Sequence, residues 1–220
     1  MALRLTDGSV FLHIPKTGGT WVYDILNEYR LIAGKAGGSK HSDYDKTLFA
    51  GRMGSGREVL GVACDLAVSK VRRNLGMKVK KEGKQPFRFC FVRHPLSWYE
   101  SWWRFRKKNN WIHCGRNNST RHWHPNAVLN GIGDDDFNNF VRNVIQIRPG
   151  YVSELFFSYT KPGISFIGKQ ENLVDDFIYV LDILGFPIPP EQIKKRPPVN
   201  ISDFGEESDK IEWDEDLKRT

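Results

Sequence analysis

Several absences bound what this chain can be. Its 220 residues contain no run of about 18 apolar residues, so no membrane-spanning helix is expected. The opening residues, Met1 to Lys16, lack the basic, apolar and cleavage-site regions of a secretory leader, and the expectation is a cytoplasmic protein. Cysteine is scarce. Cys64, Cys90 and Cys114 are odd in number and far apart, which argues against a disulfide framework and fits a reducing compartment. There is no internal repeat and no low-complexity tract, and the length suits a single domain over residues 1–220.

Positive charge is in excess, though unevenly placed. The formal net charge is +7; basic residues gather in Lys70 to Lys84 and Arg104 to Lys108, whereas Asp203 to Asp216 is acidic. Such a balance admits nucleic acid, a membrane surface or a small anion as partner. Trp98, Tyr99, Trp102, Trp103 and Trp111 beside Arg104, Arg106, Lys107 and Lys108 give the nucleic-acid option its support. Trp98, Trp102 and Phe105 fall at i, i+4, i+7, however, which is the spacing of a core stripe rather than of a stacking platform. No nucleic-acid partner is expected.

What the sequence does contain is centred on Val10 to Tyr29, VFLHIPKTGGTWVYDILNEY. Val10-Phe11-Leu12 with His13-Ile14 reads as a short buried strand. Pro15 breaks it, and Lys16-Thr17-Gly18-Gly19-Thr20 makes a glycine-rich turn. Val22, Ile25, Leu26 and Tyr29 then mark an amphipathic helix. A strand, a glycine turn and a helix start form an anion cradle, because the first N–H groups of a helix have no partner within it and its dipole favours negative charge. Lys16 adds a cation, and Thr17 and Thr20 add hydroxyls. The nucleotide-triphosphatase loop, G-x-x-x-x-G-K-[ST], carries its lysine after the glycines; here the lysine precedes them.

Further strands and helices alternate. Leu31 to Gly56 reads as a surface loop, Val59 to Ala63 as a second strand ending at Cys64-Asp65, and Leu66 to Leu75 as a helix. Phe87 to Val92 is a third strand, followed by Arg93-His94-Pro95 and a helix to about Phe105. Trp111 to Gly133 reads as irregular. Asp134 to Asp136 cap a helix marked by Phe137, Phe140, Val141, Val144 and Ile145. Ile164 to Ile167 is a fourth strand, and Leu173, Phe177, Val180, Leu181 and Leu184 mark a last helix closed by Gly185 and Pro187. The pattern predicts an α/β domain around a mainly parallel sheet flanked by helices. Ligands of such sheets sit beyond the carboxyl ends of the strands, where Lys16 to Thr20, Asp65 and Arg93 all fall.

The segment PKTGGT after a strand resembles the 5′-phosphosulfate loop of sulfotransferases that use 3′-phosphoadenosine 5′-phosphosulfate (PAPS), in particular the branch holding carbohydrate sulfotransferases and bacterial relatives. FVRHPLSWYESWW, Phe91 to Trp103, is similar to that family's 3′-phosphate segment. An arginine at the strand end, here Arg93, and a serine on the next helix, here Ser101, hold the phosphate there; a guanidinium fork and a hydroxyl suit it. Ile164 to Leu184 resembles the family's late strand and helix, with Lys169-Gln170 before Glu171-Asn172-Leu173 where relatives carry an arginine and an aromatic. Pro197 to Ser202 resembles a late Asn-x-Ser loop. The resemblance covers residues 10 to 204 and leaves 205–220 as an acidic tail. It implies a three-layer, P-loop-like sulfotransferase fold, with Lys16, Thr17, Gly18, Gly19, Thr20, Trp21, Arg93 and Ser101 on the donor. It also implies transfer to a carbohydrate hydroxyl with release of 3′-phosphoadenosine 5′-phosphate (PAP), without a required metal.

Lys16 is the candidate cation for the leaving oxygen. Bacterial relatives carry a histidine at the end of the second strand, where this chain has Asp65. Asp65 is therefore one candidate general base or simply a helix cap; His41 is the other, and neither is the third alternative. His113, Cys114, His122 and His124 are metal-binding types, yet C-x7-H-x-H departs from zinc spacing. Two rival readings are an ATP-dependent phosphotransferase, which lacks the lysine order and a magnesium carboxylate, and a non-catalytic nucleotide-binding protein.

Overall fold

The computed structural model describes residues 2–37, 41–52, 85–114, 124–199 and 211–218. Among them, five short strands form one sheet: β1 (Leu3–Leu5), β2 (Val10–Leu12), β3 (Ile32–Lys35), β4 (Arg88–Val92) and β5 (Phe166–Lys169). Their order in space is β3-β1-β2-β4-β5. β1 pairs antiparallel with both β2 and β3, while β2, β4 and β5 run parallel. The sheet is thus mixed among the described residues rather than mainly parallel. The expected second strand, Val59 to Ala63, its helix and Asp65 lie outside those residues.

Among the described residues seven α-helices accompany the strands: α1 (Gly19–Glu28), α2 (Tyr44–Arg52), α3 (Pro95–Lys108), α4 (Phe137–Ile147), α5 (Tyr151–Phe157), α6 (Leu173–Ile183) and α7 (Pro190–Lys194). Pro15 and the turn after it stop β2, and Arg30, at φ 56, ends the α1 region in the left-handed conformation. Pro95 occupies the first turn of α3, and Arg106, Lys107 and Lys108 sit at the negative end of its dipole. Asp136 caps α4, its side chain accepting from the amide of Asn139 at 2.8 Å.

Alternation along the strands separates two cores, one on each face of the sheet. Leu3, Leu5, Phe11, Phe89 and Phe91 pack with Trp21, Val22, Ile25 and Leu26 of α1 and Phe177, Val180 and Leu181 of α6. Ala2, Val10, Leu12 and Cys90 face the other way, onto Trp98 and Trp102 of α3, Phe140 and Val144 of α4, and Tyr151 of α5. Helices therefore cover both faces, which gives the three layers expected.

Local differences have physical causes. Ile32–Lys35 and Tyr44–Arg52 replace part of the expected Leu31–Gly56 loop. The strand is an edge of four residues including Gly34, stabilised by pairing to β1 rather than by propensity. α3 continues to Lys108, and a 3-10 turn, Pro125–Leu129, interrupts the stretch expected to be irregular. The fourth strand is shifted to Phe166–Lys169. Near the end of the chain, Leu217 is buried and Ile211 and Trp213 are partly buried against the second core, so the acidic tail has an apolar side. No helix among the described residues is long and apolar enough to cross a membrane.

Candidate active site

The parallel register sets Leu12 opposite Cys90 and Val92 opposite Lys169. The carboxyl ends of β2, β4 and β5 consequently open on one side of the sheet. There the His13–Gly18 turn, Arg93-His94 and Gln170–Asn172 meet. In the first turn, Lys16 and Gly18 take left-handed backbone, φ 67 and φ 80, and Gly18 is the N-cap of α1. Only Gly18 adopts that region at no cost; a lysine there is strained, as residues at working sites often are. No acidic residue lies in the first turn of α1, so the positive end of its dipole is not neutralised from within.

Neighbours hold this turn closely. The Thr17 hydroxyl donates to the Ile14 carbonyl at 3.0 Å, and the Trp98 indole N–H donates to the Pro15 carbonyl at 3.0 Å. Thr17 is 1% exposed, and its single O–H is engaged within the turn. A Cβ on Gly19 would lie 2.1 Å from Cδ2 of His13, and one on Gly18 would lie 2.4 Å from Cδ2 of Leu173. Gly19 is required by close approach to the His13 ring, and Gly18 by its left-handed backbone.

Arg93 joins the second motif to the first. Its Nη1 donates to the Lys16 carbonyl at 3.4 Å, while its buried Nε has no hydrogen-bond partner among the described residues. Burial pulls the Arg93 pKa down, against the opposing fields of Glu171 and Glu100. Burial, and after it the Arg93 charge, lowers Lys16 from 10.5 to about 8. Two cations in one enclosed place repel each other and lose hydration; an anion between them relieves both costs. Glu171 accepts from the amide of His94 at 2.7 Å, tying the ends of β4 and β5 together. Ser101 is 7% exposed on α3, and no hydrogen bond joins it to Arg93.

A run of ring contacts leads from one end of the glycine turn back to the other. His13, against Gly19, meets His41 edge-on at 4.8 Å between ring centroids, and His41 meets His124 at the same distance. His124 stacks on Trp102 at 5.9 Å, Trp102 meets Phe105 at 5.6 Å, and the Lys16 ammonium lies 4.6 Å from the Phe105 ring centre. His41 is buried, and its Nδ1 lies 3.1 Å from the His13 carbonyl. A carbonyl can only accept, so Nδ1 carries the hydrogen in this contact. No family model, no curated protein and no solved structure matches the chain.

A cleft of about 320 Å³ lies beside the glycine turn, lined by Gly18, Trp21, Glu171, Leu173, Arg196 and Val199 among others. Trp21 is 5% exposed and packs edge-on to Phe177, so it forms cleft wall and core at once. Asp65, His122 and the Asn200 to Ser202 segment lie outside the described residues. Cys114 is engaged by Asn130 at 3.2 Å and Arg106 at 3.3 Å, and among the described residues no three His, Cys, Asp or Glu side chains are grouped to hold a metal. Phe105 was expected in the core with Trp98 and Trp102. It is 43% exposed, because the last turns of α3 run past the core and bring its ring to Lys16. The sequence placed His13 only in the first strand and His124 only among metal-binding types; the histidine two residues before the Pro-Lys-Thr-Gly-Gly turn was the available signal for the first.

Proposed function

We propose that this chain is a sulfotransferase of P-loop-like fold that moves the sulfuryl group of PAPS to a hydroxyl, with a carbohydrate as the acceptor class. The observation that carries the reading is the meeting of Lys16 and Arg93, two enclosed cations at the ends of adjacent parallel strands, one with a guanidinium N–H unmatched. An anion with two separate phosphate-like groups fits that pair. The glycine turn and the start of α1 take the 5′-phosphosulfate, Arg93 takes the 3′-phosphate, and the cleft beside Trp21 takes the nucleoside.

The acceptor oxygen attacks sulfur in line, forming a new S–O bond as the bond to the bridging phosphate oxygen breaks. Negative charge grows on that bridging oxygen, where the Lys16 ammonium is the fixed counter-charge. The acceptor proton goes to His41, whose Nδ1–H is directed at the His13 carbonyl and whose Nε2 does the accepting. Phe105 touches the Lys16 ammonium and His124 the His41 ring.

Thermal shift with PAP, AMP and ATP tests the donor assignment. The bisphosphate should raise the melting temperature well above either competitor, because a ligand bound only by the folded state stabilises it by mass action. Equal shifts for AMP and PAP would remove the role given to Arg93.

A further inference from the structure

One face of α3 meets the glycine turn at two points. Trp98, Trp102 and Phe105 follow one another along that face at four- and three-residue spacing. Trp98 is fully buried; it stacks on Trp102 at 5.8 Å between ring centroids and donates its indole N–H to the Pro15 carbonyl at 3.0 Å. Trp102 is buried as well, with His124 stacked on it at 5.9 Å and the Arg106 guanidinium 5.6 Å from its ring centre. Phe105 leans on Trp102 at 5.6 Å, with 35° between the ring planes, and its ring centre is 4.6 Å from the Lys16 ammonium. The helix therefore holds two successive residues of the turn, Pro15 by its carbonyl and Lys16 by its ammonium.

Phe105 differs from the two tryptophans in being 43% exposed. Any apolar side chain there would cover Trp102. What a leucine lacks is the negative face of an aromatic ring, which attracts a cation. Among the described residues no carboxylate pairs with the Lys16 ammonium, so the ring is an attractive contact where the neighbouring Arg93 charge repels. We propose that Phe105 is a positioning residue for Lys16: its ring holds the ammonium against α3 at the glycine turn, so the cation is in place when a 5′-phosphate binds. A lysine head is otherwise free to swing on its four-carbon stem, and fixing it beforehand removes that ordering cost from binding. An ammonium has three N–H groups, and a ring on one side leaves others for oxygen. The role in binding rests on the donor reading above, whereas the contact between ring and ammonium does not.

Phe105→Leu, Phe105→Tyr and Lys16→Ala separate a held ammonium from a merely structural ring. Without nucleotide, Phe105→Leu should lower the melting temperature by about 2–4 °C more in the native chain than in Lys16→Ala, the size of one cation–π contact. Phe105→Tyr keeps the ring face and should show no such difference. Calorimetry with AMP and PAP supplies the second measurement. Phe105→Leu should weaken both by about 3- to 5-fold, since both carry the 5′-phosphate that Lys16 receives, and should leave the preference for PAP over AMP intact. In Lys16→Ala the same change should no longer affect either nucleotide. The proposal is overturned if the melting loss is equal in both backgrounds, if Phe105→Tyr behaves as Phe105→Leu, or if nucleotide affinity in Phe105→Leu is unchanged or higher. A native chain that binds neither nucleotide, yet shows the Lys16-dependent melting loss, overturns the donor reading while supporting the hold of Phe105 on Lys16.

Discussion

The Arg93 guanidinium donates to the Lys16 carbonyl across 3.4 Å, linking two turns that are 77 residues apart in the chain. Both residues follow the last residue of a parallel strand by a few positions, and β2 and β4 are neighbours. The contact is therefore a consequence of strand order, and it brings a fork-shaped cation to the edge of a glycine turn.

Arg93→Gln should lower the preference for PAP over AMP by about 10- to 100-fold, the range for losing hydrogen bonds to a charged group. The amide can still donate toward the Lys16 carbonyl, so the melting temperature of the empty protein should move little. Titration calorimetry with both nucleotides, beside a thermal scan, checks the two halves. An unchanged preference would place the 3′-phosphate elsewhere.

Lys16 gives a prediction of opposite sign for stability and for activity. Its pKa falls from 10.5 unfolded to about 8 folded, so the unfolded chain holds the proton more tightly. Stability should then rise with pH between about 8 and 10.5, with the whole penalty present below 8; it amounts to at most about 3 kcal/mol. Lys16→Met should raise the unfolding midpoint of the empty protein at pH 7 by about 4–10 °C, a gain that vanishes near pH 10.5. Turnover should drop by about 100-fold or more, because the counter-charge on the leaving oxygen is gone. A variant that is neither more stable nor slower would refute both assignments for this lysine.

The glycine turn and the Arg93 segment were legible because their punctuation is local: an apolar run, a proline or arginine at its end, and then a helical stripe. His41 was legible only as one candidate among several. Its meeting with His13 and His124 is made by tertiary packing, which no local pattern encodes. β1 and β3 are three- and four-residue strands that exist through pairing with each other and with β2. Trp213 was hidden by composition, since the acids around it describe a solvated tail, while Ile211, Trp213 and Leu217 turn to the core. Thr17 illustrates the converse. Its residue type fits a ligand shell, but burial and the nearby Ile14 carbonyl give its hydroxyl to the backbone.

Gly19 should not tolerate a methyl group. A Cβ there would stand 2.1 Å from the His13 ring, far inside contact distance, and His13 is confined by Phe11 and His41. Gly19→Ala should cost about 1–3 kcal/mol, the usual range for overpacking, and should weaken nucleotide binding by displacing the turn. His13→Ala in the same chain should recover most of the lost stability, as seen by denaturant midpoints on the single and double variants. A double variant no better than Gly19→Ala would place the strain in the backbone instead of the ring.

In the proposed reaction His41 takes the acceptor's proton. Its Nδ1–H points to the His13 carbonyl, and that hydrogen bond fixes both the tautomer and the ring's direction. His41→Gln retains a donor for the His13 carbonyl but has no basic nitrogen. It should lose about 100-fold or more in turnover, while PAP affinity stays near the native value. Asp65→Asn, measured alongside, should leave turnover near native if Asp65 only caps a helix. The reverse pattern, with turnover kept in His41→Gln and lost in Asp65→Asn, would move the base to Asp65 and leave His41 as a wall of the site.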